Sequence, residues 1–199
     1  MRSPYRNKDV SEWRRISEKL LRSFPLSMKK MAEIVLDSWD GIFESNFGAG
    51  NYRVGEHIFP QPQIMGFLLH EIIPLELERL YPGLWRRGLA SHDPDAVFLS
   101  NNRFSFEIKT SSSESGIFGN RSYAHLSLDS QKSRSRYFLA VNFNKFTPEE
   151  SKPGVKLIRF GWLDSTDWIG QKSETGQQVR LTPEAKAYKL IVVWESKKR

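Results

Sequence analysis

Apolar residues recur every three or four positions in the first eighty residues and then alternate, so the chain is predicted to begin with helices and continue as strands. Trp13, Ile16, Leu20 and Leu21 stripe a first helix over 10–24, ended near Pro25. Met28, Met31, Ile34, Val35, Ile42 and Phe43 repeat the spacing over 27–43. Between Phe47 and Pro62 the pattern dissolves into Gly48, Gly50, Gly55, Pro60 and Pro62, which predicts an excursion over the surface. A third helix is expected over 64–80, with Pro74 kinking it because that position cannot donate back to residue 70.

Beyond residue 90 the period shortens. Segments 95–99 and 103–109 read as a β-hairpin around Asn101-Asn102, and 137–142, 155–163 and 188–194 as further strands. Residues 123–134 read as a short crossover helix. The expected fold class is α/β, a mixed β-sheet flanked by helices, in one domain over 1–199. Trp162, Trp168 and Trp194 near strand ends are expected to serve in packing.

In the second hairpin strand Phe104, Phe106 and Ile108 alternate with Ser105, Glu107 and Lys109, so one face is apolar and the other carries an acid and a base. A two-residue turn would send the carboxylates of Asp95 and Glu107 to opposite faces. A three-residue loop, Ser100-Asn101-Asn102, sets them opposite each other, and Ala96, Phe98, Phe106 and Ile108 then share the buried face. Directly opposed residues have Cβ atoms about 4.5–5.5 Å apart, within reach of one metal ion, so this loop or a bulge of equal parity is predicted.

Composition sharpens the picture. The formal charge is +7, from 30 Lys and Arg against 23 Asp and Glu, a field that attracts a polyanion. With no cysteine, thiol catalysis, disulfides and cysteine-based metal sites are excluded. Residues 1–8 do not read as a signal peptide, and 64–80 carries His70, Glu71, Glu76, Glu78 and Arg79, a poor candidate to cross lipid. A cytoplasmic protein is expected.

Phosphodiester hydrolysis needs an attacking water, neutralisation of the phosphate and help for the leaving oxygen. Asp95 and Glu107 suit Mg²⁺, a hard ion that prefers oxygen ligands and keeps several waters, and the Ile108 carbonyl between the charged side chains is a further ligand candidate. Lys109 projects with Glu107 and is placed to orient or deprotonate the water, or to stabilise developing phosphate charge. Asp93 shares the parity of Asp95 and is the alternative first acid. His92 stands open as a phosphate contact or an ordinary loop residue; His57, His70 and His125 show no metal spacing, and His70 reads as a core-edge residue.

Pro94-Asp95, eleven intervening residues and Glu107-Ile108-Lys109 resemble the PD-(D/E)xK nuclease superfamily, and the chain length resembles its type II restriction endonucleases. The resemblance implies a restriction-endonuclease-like fold over roughly 64–163, Mg²⁺ on Asp95 and Glu107, and catalytic assistance from Lys109. It also implies an auxiliary acid on the preceding helix, Glu71 first and Glu78 second. It implies a bacterial or archaeal homodimer that cuts both strands of double-stranded DNA. Helices one and two, through Trp13, Ile16, Leu20, Met31 and Trp39, are candidates for the dimer contact or for ordinary burial.

The polar segment after Lys109 is expected to meet DNA, through Ser112, Ser115, Asn120, Arg121, Ser122 and Tyr123, with Lys132 in the basic stretch that follows. Two alternatives remain open: a structure-selective or repair nuclease with the same chemistry, and a non-catalytic DNA-binding protein.

Overall fold

A computed structural model describes residues 3–120, 135–170 and 178–197. Helix α1 (Val10–Arg22) starts at Asp9, whose carboxylate accepts from Ser11 N while Glu12 reaches back to Asp9 N. Ser27 caps α2 (Met28–Glu44) by accepting from Lys30 N, and Pro62, a residue suited to a first turn, opens α3 (Pro62–Leu80). The third helix runs on through Pro74. The glycine-rich excursion holds a small hairpin, β1 (Asn46–Phe47) with β2 (Tyr52–Arg53), whose turn uses positive φ at Gly48 and Asn51.

A six-stranded mixed sheet is the centre of the fold. Its strands are β3 (Trp85–Arg87), β4 (Ala96–Phe98), β5 (Phe106–Ser111), β7 (Arg136–Phe143), β8 (Val155–Leu163) and β11 (Ile191–Glu195), in the order β11-β8-β7-β5-β4-β3. Only β5 and β7 run parallel. Phe106, Ile108, Tyr137, Leu139, Ile158 and Phe160 face the helices and build the main core. On the opposite face lies a second sheet of β6 (Phe118–Asn120), β9 (Trp168–Gly170) and β10 (Gln178–Leu181), packed on Phe138, Ala140 and Leu163.

Several expectations need correction. The β4–β5 connection is not a three-residue loop: it runs from Leu99 to Ser105 and contains a 3-10 turn at Asn102–Phe104, with Ser105 Oγ accepting from Phe98 N at 2.9 Å. The expected strand 188–194 begins only at Ile191, because residues Ala185–Lys189 form a π-helical turn. The very short β3 and the whole second sheet offered too few alternating positions to be read from periodicity. The expected crossover at 123–134 lies outside the described residues. Trp162 and Trp168 are buried, Trp194 packs on the core, and among the described residues no helix is long and apolar enough to cross a membrane.

Helices one and two spend much of their apolar stripe inside the chain. Met31 and Trp39 are buried, and Trp39 Nε1 donates to Pro153 O. Trp13 packs on Tyr5, and both rings lie beside Lys189 Nζ, 4.2 Å and 4.3 Å from their centroids. That buried ammonium sits 2.8 Å from Asp164 Oδ2 and 2.8 Å from Asp167 Oδ1. Burial pushes the Asp167 carboxyl up, against the opposing pull of Lys189. Lys189→Met would leave two buried carboxylates without their cation, and a loss of about 3–5 kcal/mol in urea unfolding is expected. An unchanged midpoint would show that the carboxylates find other partners.

Candidate active site

The β4–β5 ladder holds a single pair, Ala96 with Phe106. One step outward on each strand are Asp95 and Glu107, so the carboxylates take facing positions, the parity predicted from the alternation although the loop is longer. Asp95 itself stands outside β4. Its Oδ2 accepts from Ile108 N at 2.7 Å, where a main-chain rung would otherwise continue the ladder. Beyond this point β5 has no strand on that edge. A residue's N–H and C=O leave an extended strand on the same edge, which directs the Ile108 carbonyl to the opening with its amide.

Helix α3 walls the opening. Gly66, Phe67, His70 and Glu71 face Asp95, Thr110 and Ser112 across a cleft of ≈ 590 Å³. Gly66 permits the close approach: a Cβ there would lie 2.5 Å from Thr110 Oγ1. Gly66→Ala is expected to push α3 from β5, costing about 1–3 kcal/mol of stability and slowing DNA cleavage. Paired urea unfolding and cleavage assays check this; wild-type values in both would mean that the helix moves aside freely.

His70 Nδ1 lies 3.4 Å from Asp95 Oδ2. Burial pushes the Asp95 carboxyl up, but the His70 hydrogen bond and charge, the Ile108 amide and the Lys109 ammonium together hold it below the usual carboxylate range. His70, half-buried at the edge of the packed face of α3, also lines the cleft beside Asp95. The available signal was helical spacing: Gly66 and His70 are four apart, beside Phe67 and Glu71, also four apart.

Glu107 is 4% exposed, and its Oε1 accepts from Arg136 Nη1 at 3.2 Å. Arg136 opens β7, the parallel neighbour of β5; in the sequence it stood only as one member of a basic stretch. Lys109 leaves β5 on the same face as Glu107. Glu71 is on the cleft wall with Oε2 3.9 Å from Arg87 Nη1, whereas Glu78 is exposed and does not line the cleft. Asp93 is engaged elsewhere: it accepts from Arg86 at 2.9 Å and from the Leu89 and Ala90 amides, bonds that hold its carboxyl well below the usual range. His92 is exposed, with Nε2 4.0 Å from Asp93 Oδ1.

Of the residues expected to meet DNA, Ser112 lines the cleft and Asn120 is exposed on β6. Ser115 is tied inward, its Oγ accepting from Lys186 and its carbonyl from Arg159. Arg121, Ser122, Tyr123 and Lys132 lie outside the described residues. The segment after β5 is clamped to the sheet: Asn142 Nδ2 donates to Ser113 O and Gly116 O, and its Oδ1 accepts from Arg159 at 2.7 Å. Burial lowers the Arg159 guanidinium to about 10.

The candidate donors are hard oxygens: the Asp95 carboxylate in the cleft lining, the Ile108 carbonyl, and the Glu107 carboxylate, which faces Asp95 in register but is nearly buried and does not line the cleft. The Ile108 amide and His70 both engage Asp95 Oδ2, so Oδ1 is the oxygen these bonds leave for a cation. Among the described residues no three His, Asp or Glu side chains converge into a metal cage. Such a set fits an ion that retains water ligands, as Mg²⁺ does, and not one requiring an all-protein shell.

The family model of the ScaI restriction endonuclease matches residues 3–194. The type II restriction enzyme ScaI of Streptomyces caespitosus is 44% identical over 181 residues, covering 90% of this chain and 79% of that protein. The family match takes in α3, the splayed β4–β5 pair and the second sheet alike; the chain belongs to the ScaI restriction endonuclease family.

Proposed function

We propose that the chain hydrolyses both strands of duplex DNA at a specific sequence, with Mg²⁺ held by Asp95, Glu107 and the Ile108 carbonyl. The facing Asp95 and Glu107 at the point where β4 leaves β5 carry this reading. Mg²⁺, when bound, supplies Lewis-acid stabilisation of the scissile phosphate and makes water a stronger nucleophile.

The chain's own groups do the rest. Ile108 N fixes the Asp95 carboxylate through Oδ2. The Lys109 ammonium orients the attacking water and meets charge developing on the phosphate. Glu71, across the cleft, serves as the auxiliary acid through water. Arg136 supplies a countercharge to the nearly buried Glu107 carboxylate. Residues 1–199 work as a single domain, in the cytoplasm of a bacterium. Each chain presents one such carboxylate pair, so cutting two strands calls for a homodimer whose two-fold axis matches that of the DNA.

Digestion of a plasmid library with Mg²⁺, followed by sequencing of the ends, tests this reading. The expected result is a discrete sequence at every end, cut on both strands, with no cutting in EDTA. Preference for branched or damaged DNA without a fixed end sequence would assign the same chemistry to repair. Tight DNA binding without cutting in Mg²⁺ or Mn²⁺ would make the carboxylates structural.

A further inference from the structure

We infer that the outward face of the β6-β10-β9 sheet reads base edges in the major groove of the DNA this chain cleaves. The inference rests on the endonuclease reading above and names where its sequence choice is made.

Alternation divides the sheet cleanly. Val179, Leu181 and Trp168 point inward to the second core. Gly119 faces the same way, where a Cβ would meet Val179 Cγ2 at 3.1 Å and Trp168 at 3.2 Å. Phe118, Asn120, Ile169, Gln178 and Arg180 are all exposed on the other side. The register arranges them in rows: Arg180 is paired with Phe118 on one side and Ile169 on the other, and Gln178 is paired with Asn120.

The face thus presents one guanidinium between two apolar side chains, next to two carboxamides. Phe118 and Ile169 are 41% and 40% exposed although this sheet has a core of its own. Among the described residues no carboxylate pairs with Arg180, and nothing holds the Asn120 or Gln178 amides. These groups match what the major groove displays. A guanidinium is bidentate to guanine O6 and N7, a carboxamide to adenine N6 and N7, and apolar side chains contact the thymine methyl.

Placement supports a DNA occupant over another. The small sheet packs on Phe138 and Ala140, which are the register partners of Glu107 and Lys109. It therefore stacks on the sheet face from which those two side chains project. β6 lies against β5, and the intervening turn is clamped by Asn142 and Arg159. A duplex drawn by the net charge of +7 to the Asp95 cleft would meet this face without crossing a mobile joint. Neighbouring strands are about 4.8 Å apart, so the three strands span about 10 Å between the outer backbones, against a groove about 12 Å wide.

The test uses the full-length protein and a duplex carrying the site mapped by the library digest, beside duplexes altered at one base pair. Arg180→Ala, and separately the double change Asn120→Ala with Gln178→Ala, are expected to lower cleavage of the mapped site relative to its altered versions by about 10- to 100-fold. Circular dichroism should match wild type, and nonspecific binding should hold. Arg180→Lys keeps the charge without the bidentate fork and is expected to stay defective in discrimination.

Wild-type discrimination in Arg180→Lys, with Arg180→Ala weakening all duplexes equally and flattening the salt dependence, would make Arg180 a phosphate contact and overturn the inference. A change in oligomeric mass by sedimentation with unaltered discrimination would make the face a protein interface and overturn it too. If the wild type yields no discrete ends, the endonuclease reading fails first and this inference with it.

Discussion

Replacing Asp95 by Asn is expected to slow duplex cleavage by at least about 1000-fold, which corresponds to about 4 kcal/mol of transition-state stabilisation. Asparagine retains the shape of the side chain and an oxygen to accept from Ile108 N, so the turn where β4 leaves β5 should keep its form. What it loses is the negative charge. Calorimetric titration with Mg²⁺ should show weakened binding in step with the lost rate, while the thermal midpoint changes little. A variant that cuts at the wild-type rate would remove Asp95 from the centre and return Asp93 to consideration, despite its bonds to Arg86 and the Leu89 amide.

Lys109→Met is the second large effect. A positioned proton-transfer or water-orienting group contributes about 100- to 10,000-fold, and a loss in that range is expected under single-turnover conditions. Methionine has similar length and leaves the β5–β7 register intact. Binding to DNA should survive, because the change leaves Phe138 and Ala140, on which the second sheet packs, in place. If binding fell in proportion to cleavage, Lys109 would be acting as a phosphate anchor and not in the chemical step.

The strand proposed to carry the centre was legible because its charged and its apolar positions share one period. Phe106 and Ile108 must face the helices, which forces Glu107 and Lys109 together on the other side. The same parity set Asp95 opposite Glu107, even though the connection proved to be a 3-10 turn within seven residues. Local patterning carries no record of turn length when either solution preserves the buried face. His70 and Arg136 were harder to see, since each acquires its role from a neighbour distant in sequence: Asp95 is 25 residues from His70, and Glu107 is 29 from Arg136.

The second sheet escaped for a related reason. Its strands are three or four residues long, and β10 pairs on one side with β6, which is far away in the sequence. Asn120 was identified from the polarity of the segment after Lys109, but its row partner Gln178 and the flanked Arg180 emerge only from the register. The apolar stripe of α2 was read correctly as an apolar stripe, while its use was left between a dimer and the core. Met31 at 0% exposure and Trp39 at 3% place those two residues in the core.

Crystals soaked in Mn²⁺ as an anomalous stand-in for Mg²⁺ test the centre most directly. The expected difference map has a peak within coordination distance of Asp95 Oδ1, the Glu107 carboxylate and the Ile108 carbonyl. A peak elsewhere in the chain, with none in the opening between β4 and β5, would contradict the proposed centre.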